Sequence, residues 1–189
     1  FSDFVRALKA QLASEKLVLL LALPPKTCRG QTGLLCEAHD FRVLGRNADL
    51  CVLKNASVAL GAPSALADIG RMNEAVRYAV SEIPAKKLLC SLPAGGLQWT
   101  LPWHQGQRAR PLAGAQAAEQ AVQVGAPIRY DDAAQAPHYN FWRGGTEQEV
   151  WFEDARSYRA KCALAAEYRL GGVAVPEAAQ WYSQLWGIL

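Results

Sequence analysis

No stretch of this sequence stays apolar long enough to cross a membrane as a helix. The longest run, LVLLLALPP at 17–25, stops at two prolines and suits a buried strand better than a span. Long basic blocks are missing too. The longest basic cluster is QRAR at 107–110, and 20 basic residues nearly balance 17 acidic ones, so no nucleic-acid partner is expected. There is no CxxC spacing, and His39, His104 and His138 stand far apart, so no metal is expected. Nor is there a glycine-rich phosphate loop: Arg143-Gly144-Gly145 is a turn that opens no helix, and no cofactor is expected. An initiating Met and a signal-peptide pattern are also missing. FSDFVRALKAQL reads as a helix already under way, with the mature start or a larger parent chain out of view.

What is present is a chain of 189 residues, 51% of them apolar, enough for a real core and most simply one domain over 1–189. Five cysteines are an odd number. Cys51, Cys90 and Cys162 lie in apolar runs as small core residues, while Cys28 and Cys36 flank a polar loop and are candidates for a short disulfide that spacing alone does not fix.

The apolar pattern alternates in type. Phe4, Val5, Leu8 and Leu12 follow helical spacing, and KLVLLLALPP then reads as a strand covered on both faces. ADLCVLKN (48–55) is a second strand, IGRMNEAVRYAVSEIP (69–84) a helix with Ile69, Met72, Val76 and Val80 on one stripe, and KKLLCSLPAGG (86–96) a third strand. SYRAKCALAAEYRLGG (157–172) is a helix with Ser157 as candidate N-cap, and GGVAVPEA follows as a fourth strand. Strands of buried type alternating with helices argue for parallel βα units. Residues 97–156 interrupt the alternation with an Ala-rich helix, AGAQAAEQAVQVG, and three short strands in PIRYDD, HYNFWR and EVWFED. These predict a small α+β lobe.

KKLLCSLPAGGLQWTLP resembles the seventh barrel strand and following loop of family-18 glycoside hydrolases, especially the spore-cortex-lytic and chitobiase-like members. APHYNFWRGGTEQEVWFEDARSYRAKCALAAEYRLGGVAV resembles their insertion, seventh helix and eighth strand, and ADLCVLKN falls where their sixth strand would. The resemblance implies the C-terminal half of a (β/α)8 TIM-type barrel with a small α+β insertion after the seventh strand. It also implies an N-acetylglucosamine-containing glycan as ligand, chitin-type or peptidoglycan, and an extracellular, cell-envelope or spore-associated setting.

Several positions depart from the family. Its catalytic acid closes a DxxDxDxE motif, which does not occur in this sequence, so the catalytic residue is unknown. That acid protonates the leaving oxygen while the substrate's acetamido oxygen attacks the sugar carbon. The sixth-strand Met-Thr-Tyr-Asp is met by Lys54-Asn55-Ala56-Ser57, and the seventh-strand Tyr-Gly-Tyr-Asp-Trp by Ala94-Gly95-Gly96-Leu97-Gln98-Trp99, with Gln98 at the Asp. The eighth-strand Trp falls at Pro176. Loss of sugar-facing positions beside a retained scaffold is the pattern of a pseudoenzyme.

Barrel enzymes keep their chemistry at the C-terminal strand ends. The candidate substrate-binding residues there are Lys54, Asn55, Gln98, Trp99 and Glu177. Glu177 is the only carboxylate among them; it reads either as a relocated acid paired with Lys54 or, more plainly, as a solvated rim charge. Asn55-Ala56-Ser57 is formally a glycosylation sequon at a strand end. Asp131-Asp132 and Glu153-Asp154 are neighbours in extended chain and point apart, and Asp154 reads as a helix cap. Trp99 and Trp103 read as loop residues able to reach a barrel mouth, or as core. His138, Asn140 and Trp142 share one strand face and Tyr139 and Phe141 the other, so Trp142 and Trp151 read as packing in a small sheet laid on the Ala-rich helix. Half a barrel exposes two sheet edges, which predicts a homodimer or pairing with a missing N-terminal half.

Overall fold

The computed structural model describes residues 1–54, 61–175 and 187–188. In chain order they form α1 (Ser2–Ser14), β1 (Leu20–Leu23), α2 (Phe41–Asn47), β2 (Leu50–Leu53), α3 (Ile69–Glu82), β3 (Leu88–Ser91), β4 (Gly95–Leu101) and β5 (Arg110–Ala113). There follow α4 (Gly114–Gln123), β6 (Arg129–Asp131), β7 (Ala136–Arg143), β8 (Thr146–Phe152), α5 (Ala155–Glu167) and β9 (Gly172–Ala174). The chain divides into two compact units. One is built from Phe1–Asn55, Arg71–Ser91 and Ala163–Ala174, and the other centres on Leu92–Cys162.

The first unit holds a parallel sheet in the order β1-β2-β3-β9. Its register runs Leu23↔Leu53, Leu53↔Cys90 and Ser91↔Ala174. Apolar strands joined through helices give this topology, because parallel neighbours need a crossover rather than a hairpin. The core is made by Leu23, Cys51, Leu53 and Cys90 from the strands and by Met72, Ala75, Val76 and Ala79 from α3. The helical stripe therefore includes Ala79 where the sequence pattern pointed to Val80. The first strand is shorter than the run at 17–25 suggests, since Leu17 and Val18 precede β1 and are exposed, as is Leu20 within it. Among the described residues β1 pairs with β2 alone. α2 has no counterpart among the elements expected from the sequence. Seven residues are too few for a periodic pattern, and the helix is started by Asp40, whose carboxylate accepts from the Val43 amide at 3.2 Å. The cysteines are free thiols, Cys28 and Cys36 included.

The second unit is a five-stranded sheet in the order β5-β4-β8-β7-β6, its pairs antiparallel. The strand expected at 86–96 divides between two strands. β3 ends at Ser91, and Gly95 starts β4, so QWTLPW is largely strand rather than loop. Pairing of Leu97 with Trp151 and of Trp151 with His138 sets which side chains share a face. On one face Leu112, Tyr139, Phe141, Val150 and Phe152 pack with Ala117 and Ala121 of α4, as the alternation in HYNFWR implied. On the other, Leu97, Trp99, Ala136 and Trp151 pack with Ala65, Ala109 and Ala134.

Glycine is required where β4 meets β8. A Cβ on Gly96 would lie 2.6 Å from the Trp151 carbonyl oxygen and 2.7 Å from the Phe152 Cβ. At the far end of β7 and β8 the turn through Gly144 and Gly145 takes φ of 58° and 78°, the left-handed pair that suits a two-residue hairpin.

Past β8 the chain enters α5 through a polar knot. The Asp154 carboxylate accepts from the amides of Arg156 (2.9 Å) and Ser157 (3.0 Å), so Asp154 is the cap and Ser157 is not. The Ser157 hydroxyl instead donates to Glu153 at 2.6 Å, and the Lys161 ammonium reaches the same carboxylate oxygen at 2.6 Å. Lys161 and Glu153 are 0% and 1% exposed. Burial pushes the Glu153 carboxyl above its usual range, and the Lys161 charge pulls it back.

Two outcomes are expected in denaturant unfolding. Gly96→Ala should cost about 2 kcal/mol, since the added methyl meets backbone that cannot move without breaking the β4–β8 ladder; an unchanged midpoint would refute that close approach. Lys161→Met should cost about 3 kcal/mol by leaving the Glu153 carboxylate buried without its ammonium. The double variant Glu153→Gln/Lys161→Met should recover most of that loss, whereas additive losses would show that charge is not the cause.

Candidate functional site

The described sequence candidates are placed by two different strands. Lys54 lies at the C-terminal end of β2 in the first unit, where its amide donates to the Leu23 carbonyl at 2.9 Å and its side chain is exposed. Asn55 and Glu177 lie outside the described residues, as do Pro176 and the Asn55-Ala56-Ser57 sequon.

Gln98 and Trp99 are both on β4, adjacent and so on opposite faces of the sheet. Gln98 is 6% exposed, and its amide donates to the Gln148 side chain at 2.9 Å and accepts from the Gln120 side chain at 3.4 Å. Those bonds engage it with β8 and α4. Trp99 is 1% exposed, packed in the cluster with Leu97 and Trp151, and its indole N–H meets no hydrogen-bond partner among the described residues. The strand, rather than the loop assumed from sequence, is what draws it inward. Trp103 is half-buried against the same cluster and donates to the Gln107 carbonyl at 3.3 Å. None of Lys54, Gln98 and Trp99 carries a carboxyl group, so these three supply no proton donor of the kind a glycosidase uses.

The other acidic candidates are engaged elsewhere. Asp131 accepts from the amides of Ala133 (2.9 Å) and Ala134 (2.7 Å) and closes the turn between β6 and β7. Glu153 and Asp154 belong to the knot that starts α5. Among the described residues no three His, Cys, Asp or Glu side chains gather as a metal would require.

The residue that sequence reasoning misjudged is Trp142. The alternation in HYNFWR predicts it packed inside the sheet with Trp151. Trp151 does so, stacked on His138 with ring centroids 4.5 Å apart. Trp142, however, is 72% exposed. The alternation gave its face correctly, but the covering residues reach only as far as His138 and Trp151. The available signal was its place one residue before the Arg143-Gly144-Gly145 turn, at the tip of the hairpin, where a strand face runs out of cover.

Comparison with known proteins agrees with this geometry. The family model for glycosyl hydrolases family 18 matches residues 1–180. A cortical fragment-lytic enzyme of Bacillus cereus is 35% identical over 193 residues, covering 100% of this chain and 45% of that protein. The crystal structure of the spore cortex-lytic enzyme SleL of Bacillus megaterium superposes with a TM-score of 0.92 at 36% identity, covering 98% of this chain and 43% of that one. A chitinase from Chromobacterium violaceum, at 26% identity, superposes with a TM-score of 0.91 over 100% of this chain and 59% of its own. The chain thus spans less than half the length of the cortex-lytic relatives it matches. With parallel βα units in one part, an antiparallel sheet on an Ala-rich helix in the other, and a family match over both, this chain belongs to glycosyl hydrolase family 18.

Proposed function

We propose that this chain is the C-terminal portion of a glycan hydrolase acting on N-acetylglucosamine-containing strands of the spore-cortex peptidoglycan type, in a spore or cell-envelope setting. The observation that carries this reading is continuous similarity along the whole chain to relatives named for cortex lysis, of which it covers 45%. The chain alone is read as inactive. Cleavage by the family's route needs a carboxylic acid to protonate the leaving oxygen while the acetamido oxygen attacks the sugar carbon. The sequence has no DxxDxDxE to supply that acid. Its part is to complete the barrel and contribute glycan contacts, with Lys54, Asn55 and Glu177 as the proposed strand-end contributors.

A second reading, a non-catalytic chitinase-like carbohydrate-binding or scaffold protein, is favoured by one observation. Gln98, at the position of a family aspartate, is spent on hydrogen bonds to Gln148 and Gln120. The sequence encoded upstream of Phe1 separates the two readings: a DxxDxDxE there supports the hydrolase, and a parent chain lacking it supports the binding protein.

Among the described residues β1 has no partner strand on its outer side, and Leu17, Val18 and Leu20 are exposed beside it, which supports pairing with a second copy or with a preceding half-barrel. The 189-residue chain by itself should then scatter light as a species heavier than 20.6 kDa; a clean monomer would oppose the pairing. On a chromogenic chitobioside it should give no turnover. Turnover that Glu177→Gln abolishes would show instead that the chain carries its own acid.

A further inference from the structure

We propose that the exposed end of the antiparallel sheet, around Trp142 and Glu147, is a glycan-binding surface that seats two consecutive pyranose units. The proposal rests on the glycan reading above and extends it to residues that reading does not use.

The register builds this surface. Trp142 on β7 lies directly across from Glu147 on β8, and Glu147 across from Leu101 on β4. The carboxylate therefore stands in the middle of a three-strand row, with an indole on one side and an aliphatic side chain on the other. Asn140, two residues before Trp142 and on the same face, donates from Nδ2 to Glu147 Oε1 at 3.0 Å. That bond fixes the carboxylate's orientation, while Glu147 Oε2 accepts from no side chain among the described residues.

Two hollows adjoin at this carboxylate. One, of about 420 Å³, is lined by Leu101, Pro102, Trp142, Thr146 and Glu147 among others. The other, of about 380 Å³, is lined by Pro127, Arg129, Asn140 and Glu147. Each falls near the lower end of the range for small-ligand sites. Because Glu147 lines both, a single ligand that spans this carboxylate and fills both hollows carries two units of similar size.

The lining selects the ligand chemistry. A pyranose presents a C–H-rich face and a rim of hydroxyl and acetamido groups. The indole of Trp142, 72% exposed and carried on a paired strand, offers a flat apolar surface for that face. Glu147 accepts hydroxyl protons, and Arg129 donates to an acetamido or ring-substituent oxygen. A nucleic acid suits the site poorly, since Glu147 and Glu149 stand on the same face and repel phosphate. An apolar protein segment suits only the first hollow, because the second is lined by an amide, a carboxylate and a guanidinium.

The test uses the full protein that carries this chain. Binding of N-acetylchitotetraose is measured by titration calorimetry, and retention on purified cortex peptidoglycan by sedimentation, beside hydrolysis of both. Trp142→Ala should weaken binding about tenfold, as expected for loss of one aromatic stacking surface. Trp142→Phe should weaken it less, and Glu147→Gln should weaken it by a smaller factor than Trp142→Ala. Circular dichroism and melting temperature should stay at wild-type values, since both side chains are at the surface. Wild-type affinity in Trp142→Ala, with glycan binding by the parent intact, would overturn this proposal and leave the glycan reading standing. A wild-type protein that neither binds nor cleaves either glycan would overturn both. Loss of retention on cortex peptidoglycan with unchanged binding of N-acetylchitotetraose would also overturn it, by showing that the indole meets the peptide rather than the sugars.

Discussion

The pairing of β4 with β8 is the constraint on which the second unit depends. Gly96 lies against the Trp151 carbonyl so closely that no side chain fits between them, and from there the ladder runs to Leu101 and Glu147. Once that ladder is set, every side chain on both strands has its face assigned. Gln98 goes toward α4 and Trp99 into the opposite cluster, while Glu147 comes to the open end beside Trp142. A slip of one residue would exchange the two faces, turning Glu149 toward α4 and taking Val150 away from it. The glycine's survival, beside Trp99, where both Tyr positions and the Asp of the Tyr-Gly-Tyr-Asp-Trp pattern are altered follows from this packing need, which persists whatever becomes of the chemistry.

The polar knot after β8 serves the same sheet. Glu153 and Lys161 are both buried, which is costly unless their charges meet and their remaining polar atoms are bonded. Ser157 supplies a further hydrogen bond to the carboxylate, and Asp154 takes the first amides of α5. The EDARS stretch therefore holds the strand end and the helix start in one geometry, and its acidic residues are occupied there. Residues that look catalytic by type are structural by position.

Much of this was legible in the sequence, and what was not has physical reasons. Long periodic segments such as 69–84 were legible as helices because their apolar residues fall on one stripe. The faces of HYNFWR were legible because alternation has a period of two. β4 was hidden by Pro93 and two glycines, which read as a strand's end although the chain only bends before starting a new strand. α2 was hidden by its length. Trp142 was misjudged because alternation gives a face but not how far the cover on that face extends. The candidate site was legible only as a set of positions. Whether Gln98 and Trp99 met solvent depended on a partner strand, β8, some fifty residues further along the chain.

The register of the β4–β8 ladder thus turns Trp99 inward and leaves Trp142 in solvent. Hydrogen–deuterium exchange of the assigned indole N–H signals tests it directly. The Trp99 indole proton should persist long after the Trp142 proton has exchanged in the dead time. Rapid exchange at Trp99, or protection at Trp142 in the absence of ligand, would contradict it.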